Sequence, residues 1–308
     1  MIFNLDLGTW NLELKNLYNT PMPNFQNKLK QYLLLMRADR PIGSFLLLWP
    51  TLWALWLAGE GQPSASIVLI FIVGVFVMRS AGCVINDYAD RHIDPGVART
   101  CNRPIAAGLV RPHEALILFF VLCGIALLLV LQLNTLTIKL SVVAVILAAS
   151  YPFAKRFTNL PQVYLGIAFG WSIPMAFSAQ SGQLSAAVWI LFTANICWTV
   201  AYDTIYAMVD REDDLKIGVM STAILFGRND RFIIGLLQLI TLALLIWVGQ
   251  IFERGSFYYV GLLMASFFFL YQQWLITERD TTRCLQAFLN NSWFGAVVFV
   301  GLILDYLP

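Results

Sequence analysis

Three aspartates at the end of an apolar stretch are the first residues in this chain whose types and spacing could do chemistry. They are Asp87, Asp90 and Asp94, and Asn86 precedes the first of them. A helix turns by about 100° per residue, so residues at these spacings share one face. Carboxylate and amide oxygens suit Mg2+, which commonly bridges carboxylates to the phosphates of a substrate. The pattern predicts a magnesium site formed by Asn86, Asp87, Asp90 and Asp94.

A second acidic cluster follows a later apolar stretch. Asp203, Asp210, Asp213 and Asp214 share a helical face, whereas Glu212 points away from it. Carboxylates held so close together repel each other unless cations neutralise them. We therefore predict that Asp210, Asp213 and Asp214 face the first cluster and complete its metal site.

The composition indicates what must position these clusters. Hydrophobic residues make up 59% of the chain and charged residues 12%, about half of the roughly 25% that is usual in soluble domains. Runs long enough to cross a hydrocarbon layer ~30 Å thick can be drawn about nine times. The expected spans are 41–59, 65–85, 113–132, 135–151, 161–179, 184–207, 231–251, 256–277 and 286–306. The sequence predicts an all-α polytopic membrane protein, which is embedded in a lipid bilayer.

Basic residues concentrate in alternate loops between these spans. The positive-inside rule makes those loops cytoplasmic. The amino terminus is then cytoplasmic, the carboxyl terminus lies outside, and both acidic clusters face the cytoplasm. Residues 1–36 are expected to form a cytoplasmic or interfacial segment, and residues 37–308 a single transmembrane domain.

The net charge argues against a nucleic-acid partner, and the cysteine spacing argues against a metal site built from cysteines. The net charge is only +2, and the basic residues are spread over many loops, which argues against nucleic acid. The five cysteines show no metal-ligand spacing and are expected to pack as free thiols.

A diphosphate clamp at the mouth of an apolar bundle suits a substrate with a charged head and a long apolar tail, such as a prenyl diphosphate. Neutralising the leaving diphosphate would permit ionisation to an allylic cation. An electron-rich acceptor could then trap the cation while the site excludes water.

At these clusters the chain resembles the UbiA-type membrane prenyltransferases, and within them the bacterial polyprenyltransferases that act on 4-hydroxybenzoate. The stretches that carry the resemblance are residues 40–43, 48–55, 81–91, 102–104, 170–177 and 202–227. The resemblance implies a bundle of nine transmembrane helices in a bacterial inner membrane, with a site that faces the cytoplasm.

The family's first motif, an Asn-Asp pair with further aspartates three and seven residues on, falls on Asn86, Asp87, Asp90 and Asp94. Its second motif falls on Asp210 and Asp214, with Asp213 between them. The resemblance implies catalytic roles for Asp90, Asp94, Asp210 and Asp214. It implies substrate contacts from Asn86, Asp87, Arg79, Arg103, Arg156, Asp203, Tyr206 and Lys216. Two positions depart from the pattern, since Met220 replaces an expected lysine and Pro95 an expected glycine.

The implied reaction is Mg2+-dependent transfer of a polyprenyl group from polyprenyl diphosphate to the carbon ortho to the phenol of 4-hydroxybenzoate, in ubiquinone biosynthesis. Electron release from the phenol makes that carbon nucleophilic. The carboxylate of the acceptor needs a cationic partner, for which Arg156 and Arg79 are the candidates.

Two alternatives to this interpretation remain open at the level of sequence. The same fold could serve another acceptor, such as a naphthoate, homogentisate or haem. A cation transporter or channel would also carry intramembrane carboxylates, but it predicts them near the bilayer midplane rather than at one face.

Overall fold

The computed structural model describes residues 25–97, 99–154 and 156–307, and the regular structure within these ranges is entirely helical. Most of the expected interfacial segment, residues 1–24, lies outside the described ranges. The described helices, numbered in chain order, are α1 Phe25–Leu35, α2 Ile42–Ala58, α3 Ala65–Ala89, α4 Pro112–Val130, α5 Thr135–Ala154, α6 Pro161–Gly170, α7 Ser172–Ser181, α8 Ala186–Ile217, α9 Thr222–Phe226, α10 Asp230–Ile251, α11 Ser256–Leu275 and α12 Thr281–Tyr306.

The predicted spans correspond to these helices, with one break. Within the described ranges, seven helices are long and apolar enough to cross a membrane, and α2 is apolar over 17 residues. The predicted span 161–179 consists instead of α6 and α7, ten residues each, which meet at Trp171. Pro174 has no N–H to donate to the carbonyl of Gly170, so a continuous helix would lose a hydrogen bond there. The proline accounts for the break.

Both acidic clusters lie at the ends of long helices. Helix α3 continues to Ala89, beyond the apolar run, and Asp90 caps it. Helix α8 runs ten residues past its predicted span and stops at Gly218, which adopts φ 72°. Glycine takes this left-handed conformation without steric cost and is the usual residue after a helix end. The polar ends of α3 and α8 thus project beyond their apolar stretches.

An aromatic core fixes α8 against α2 and α12. The rings of Trp53 and Trp198 stack at 5.4 Å between centroids, and Phe294 lies 5.2 Å from Trp198. The indole N–H of Trp53 donates to the carbonyl of Gly295 at 3.1 Å, and that of Trp198 donates to Asn291 Oδ1 at 2.9 Å. Each buried indole therefore has a partner for its one donor, and the three helices are held in register.

The short helix α1 packs beneath α3 and α4. Leu35 is fully buried in a cluster that includes Ala81 and Val84 of α3, and Lys28 forms an ion pair with Glu114 at the start of α4. Arg37 follows α1 with φ 58°. A non-glycine residue rarely adopts this conformation, and here it turns the chain so that the Arg37 side chain reaches α3.

Candidate active site

A cavity of about 430 Å3 lies among α2–α8 and takes one residue, Phe288, from α12. It follows α3 from Ile70 to Asp87, about 25 Å at 1.5 Å per residue. Its polar lining consists chiefly of Arg37, Arg40, Arg79, Asn86, Asp87, Arg99, Arg103, Asp203 and Tyr206. Its apolar lining includes Ile70, Phe71, Leu46, Leu129, Val130, Leu133 and Met175. The cavity is therefore charged along α3 from Arg79 to Asp87 and apolar from Ile70 to Met78.

The first acidic cluster is buried and held by arginines. Asp87, Asp90 and Asp94 are 1%, 2% and 4% exposed. Arg37 Nη2 donates to both carboxylate oxygens of Asp87 at 2.9 Å, while Arg103 Nη1 lies 3.0 Å from an oxygen of Asp87 and 3.0 Å from one of Asp94. Buried carboxylates remain charged only with such partners. The two arginines therefore offset part of the negative charge of the cluster, through Asp87 and Asp94.

Burial and neighbouring charges also shift the pKa values of Asp94 and Arg103, which lie in the loop after α3. Burial raises the pKa of the Asp94 carboxyl above its usual range and the nearby charges of Asp87 and Asp90 add to this effect, while Arg103 opposes it. Burial by itself would lower the pKa of the Arg103 guanidinium, but Asp87 and Asp94 raise it by more. Asp94 thus depends on a neighbouring cation to stay ionised.

The second cluster is tied to the first through the loop that follows α3. Arg99 Nε donates to Asp210 Oδ1 at 2.8 Å and its Nη2 donates to Oδ2 at 2.6 Å, the bidentate arrangement that suits a guanidinium. The Arg99 guanidinium also lies 4.9 Å from the centre of the Tyr206 ring. The loop therefore links Asp210 of the second cluster to the charged end of the cavity, which Arg99 lines.

The remaining acidic residues of α8 differ in exposure. Asp203 lines the cavity, and Asp214 is half-buried. Asp213 accepts a hydrogen bond from Lys216 at 3.2 Å, and the Lys216 side chain is 70% exposed. Glu212 is exposed, as expected for the opposite face. Lys216 does not line the cavity, so the structure places it away from the predicted substrate contacts.

The donor set of the two clusters fits an oxygen-seeking cation, because it consists of carboxylates with Asn86, whose amide donates to Asp90 Oδ2 at 3.3 Å. In the described part of the chain, no three His, Cys, Asp or Glu side chains converge closely enough to hold one ion. Guanidinium groups of Arg37, Arg99 and Arg103 instead occupy oxygens that the predicted metal site would use.

Arg79 lies deeper in the cavity, two helical turns before Asp87. Its guanidinium lies 5.5 Å from the centre of the Phe169 ring, and Asp203 is close enough for the two charges to interact. Gly43 leaves the space for it, since a Cβ on that glycine would lie 2.5 Å from Arg79 Nε. Tyr151 and Tyr202 line the same region. Arg79 is a cation available to an anionic ligand.

Arg156, the other predicted partner of an acceptor carboxylate, lies elsewhere. Its Nη2 donates to the carbonyl of Ala89 at 2.6 Å and its guanidinium lies 5.2 Å from the centre of the Phe153 ring. It lines a second, surface pocket with His92. The chain after α5 therefore carries Arg156 to the carboxyl end of α3, at a different pocket from the main cavity, which its position after a predicted span could not reveal.

Arg37 and Arg99 form part of the charged end of the cavity, although the sequence did not single them out as site residues. Arg37 precedes Asp87 by 50 positions, and Arg99 precedes Asp210 by 111. Local spacing carries no signal over such separations. The sequence signal for Arg99 is its place in the basic loop after the first acidic cluster, whereas Arg37 is simply a basic residue before the first predicted span.

Comparison with known proteins gives a family match over most of the chain. A family model described as the UbiA prenyltransferase family matches residues 47–297. A 4-hydroxybenzoate octaprenyltransferase of Edwardsiella ictaluri is 59% identical over 279 residues, which cover 91% of this chain and 97% of that protein. The resemblance predicted from the two acidic motifs is confirmed.

Solved structures of low sequence identity share the fold. A UbiA homolog from Aeropyrum pernix superposes with a TM-score of 0.76 at 24% identity, covering 86% of this chain and 98% of that one. A UbiA homolog from Archaeoglobus fulgidus, bound to GPP and Mg2+, gives a TM-score of 0.66 at 17% identity and covers 88% and 99%.

Proposed function

The chain belongs to the UbiA prenyltransferase family, and from that premise we propose that it transfers a polyprenyl group from polyprenyl diphosphate to 4-hydroxybenzoate, with release of diphosphate, in ubiquinone biosynthesis. The new bond forms at the ring carbon ortho to the phenol. The observation that carries this conclusion is the 59% identity, over 91% of the chain, to a 4-hydroxybenzoate octaprenyltransferase. The same relative favours hydroxybenzoate over a naphthoate, homogentisate or haem as the acceptor.

The cavity suits the two ends of the donor substrate. Its apolar lining between Ile70 and Met78 offers a surface for the prenyl tail, since burying apolar groups away from water is favourable. At the charged end, Arg37, Arg99 and Arg103 present guanidinium forks that can bind phosphate oxygens in pairs. We assign the diphosphate to this end.

The metal of this reaction is Mg2+, and the residues that would hold it are Asn86, Asp87, Asp90, Asp94, Asp210, Asp213 and Asp214. An ion bound there would neutralise the negative charge that develops on the leaving diphosphate. Their oxygen donors support a hard cation over a transition metal. In this proposal Arg37, Arg99 and Arg103, which pair with Asp87, Asp94 and Asp210 in the structure, exchange these carboxylates for the diphosphate when substrate binds.

Arg79 is the residue we assign to the carboxylate of 4-hydroxybenzoate. It lies inside the cavity, on the apolar side of the charged end, and its fork can hold a carboxylate by two hydrogen bonds. Asp203 and Tyr206 line the cavity within one helical turn of each other and would contact the ring. Arg156 lies outside this cavity. Aromatic and apolar walls around Arg79 exclude water from the reacting carbon.

The protein is a multi-pass membrane protein. We propose nine crossings, formed by the seven long helices of the described chain, by α2 and by the α6–α7 pair. The distribution of basic residues supports a cytoplasmic amino terminus, an outside carboxyl terminus and a site that faces the cytoplasm of a bacterial inner membrane. Residues 37–308 then form one transmembrane domain.

The experiment that tests this function is a transfer assay in membranes that contain the full chain. Labelled 4-hydroxybenzoate, a polyprenyl diphosphate and Mg2+ are supplied, and the lipid-soluble product is identified by mass. The expected product carries one polyprenyl group on the ring and releases one diphosphate. Prenylation of a naphthoate or homogentisate, with hydroxybenzoate left unreacted, would contradict the proposal.

A further inference from the structure

Three separate segments of the chain meet at one buried carboxylate, outside the cavity. Asp230, the first residue of α10, is 0% exposed. It accepts a hydrogen bond from Arg211 of α8, bonds from Arg279 Nη2 at 2.8 Å and Nε at 3.0 Å, and one from the backbone N–H of Arg231 at 2.7 Å. The carboxylate is thus surrounded by donors, two of them charged.

The Arg279 side of this cluster is held in an unusual backbone conformation. Arg279 adopts φ 58°, which costs energy in a non-glycine residue and persists only where surrounding contacts maintain it. Its Nη2 also donates to the carbonyl of Arg228 at 3.1 Å. The turn between α11 and α12 is therefore fixed to the turn before α10, and Asp230 is a rigid anchor for Arg211.

Arg211 links that anchor to the second acidic cluster. It lies in α8 directly after Asp210 and two residues before Asp213. At about 100° per residue, the direction of Arg211 sets the rotation of the final turns of α8. With Arg211 held by Asp230, the Asp210 side chain points to Arg99 and the charged end of the cavity.

The anchor also keeps a cation away from the cluster. Asp214 lies three residues after Arg211 in α8, so a guanidinium released from Asp230 would be within reach of the Asp214 carboxylate. That carboxylate would then be partly neutralised before substrate binds. The rotation of α8 thus acts on Asp210 and the charge of Arg211 acts on Asp214, and both effects depend on where Arg211 is held.

We propose that Asp230 is a positioning residue for prenyl transfer: together with Arg279 it holds Arg211, and through Arg211 it aims Asp210 and Asp214 at the diphosphate end of the cavity. This inference rests on the proposed function, because it assigns the positioned carboxylates to the prenyl diphosphate. Asp230 itself touches no substrate.

The test compares Asp230→Asn and Arg279→Lys with the wild-type chain in detergent. Affinity for an unreactive prenyl thiolodiphosphate is measured by calorimetry in the presence of Mg2+, alongside KM for both substrates, kcat and the melting temperature. Arg279→Lys keeps the charge and loses the fork, so it covers the case in which Asp230→Asn does not fold. Arg283→Gln is the matched control, because the Arg283–Glu278 pair lies on the same turn at 3.9 Å with Glu278 76% exposed.

We expect the thiolodiphosphate affinity to fall about tenfold to a hundredfold in Asp230→Asn, the range for residues that orient metal ligands, and less in Arg279→Lys. KM for hydroxybenzoate should stay within about twofold and Arg283→Gln should match wild type. A lower melting temperature with unchanged thiolodiphosphate affinity in both variants would overturn the proposal. Because affinity is measured without turnover, an inactive wild-type chain that still binds the analogue would refute the proposed function alone.

Discussion

At the scale of single residues, the charged end of the cavity consists of carboxylates held by arginines. Asp87 takes two arginines, and Asp210 takes one in a bidentate pair. The helical face predicted for Asp94 is wrong, because α3 ends at Ala89 and Asp94 lies in the loop after it. Asp87 and Asp210 could be predicted from their spacing, because three- and four-residue steps on a helix are local. Their partners could not, since Arg37 and Arg99 act across 50 and 111 positions. Residue type and helical spacing thus indicate candidate metal ligands, whereas the arginine that pairs with each aspartate is determined by the folded structure.

Removing one carboxylate charge from either cluster should stop turnover. Asp90→Asn and Asp210→Asn each keep the shape of the side chain but lose a ligand charge. We expect kcat to fall by at least about a hundredfold, since metal stabilisation of the leaving group amounts to several kcal/mol. Steady-state assays in membranes with matched amounts of inserted protein give this value.

Glu212→Gln is the control for that prediction, because Glu212 is exposed on the opposite face of α8. Its activity should remain within about twofold of wild type, as for most surface charges. Equal losses in all three variants would show that total charge matters rather than the aspartate face.

The acceptor site gives a second prediction at this scale. Arg79→Lys keeps the positive charge and loses the fork, so KM for 4-hydroxybenzoate should rise about tenfold. KM for the prenyl diphosphate should change much less. Arg156→Lys is the matched comparison, because Arg156 lies at the carboxyl end of α3, at a different pocket from the main cavity. A larger rise of this KM in Arg156→Lys than in Arg79→Lys would indicate that Arg156, not Arg79, binds the carboxylate of 4-hydroxybenzoate.

At the scale of elements, hydropathy predicted most helices but not their ends or breaks. The spans from 65 and from 184 end near residues 85 and 207 by hydropathy, yet α3 and α8 continue to Ala89 and Ile217. The residues at these two helix ends are polar, so a prediction based on hydropathy stops before the helix does. The break at Trp171 follows from Pro174, whose presence in the sequence does not say whether a helix bends or stops.

Gly43 of helix α2 leaves the space that the Arg79 guanidinium occupies, and filling this space tests the role of Arg79. A Cβ at this position would lie 2.5 Å from Arg79 Nε, so Gly43→Ala must displace the guanidinium. We expect KM for hydroxybenzoate to rise about tenfold, since small misplacements of a positioning group are costly. Gly124→Ala serves as control, because a Cβ there meets nothing within 4 Å. Equal kinetics in the two variants would contradict the assignment of Arg79.

At the scale of the whole molecule, the order of the helices brings one end of α3 and one end of α8 together. The aromatic core of Trp53, Trp198 and Phe294 fixes α8 relative to α2 and α12. The loop after α3 then joins the two acidic ends through Arg99. The sequence predicted that the clusters lie on the same side of a membrane, because an even number of crossings separates them. The arrangement around one cavity requires the packed structure.

The proposed topology makes the loops at the two ends of α3 differ in accessibility. With the native cysteines replaced by serine, His92→Cys should react with a membrane-impermeant thiol reagent only in inverted inner-membrane vesicles. Gln62→Cys should react in intact spheroplasts. Both residues are exposed, so each is accessible from its own side. Labelling of His92→Cys in intact spheroplasts would reverse the orientation.

We propose that carboxylates of both clusters bind a divalent cation that activates a prenyl diphosphate for transfer to 4-hydroxybenzoate. The most direct measurement is the rate of hydroxybenzoate prenylation by the purified full chain after exhaustive chelation, followed by graded addition of Mg2+. We predict no turnover in chelator, full recovery with Mg2+, and no recovery in Asp210→Asn at the concentration that saturates wild type. Undiminished turnover in the chelated wild-type protein would contradict the account.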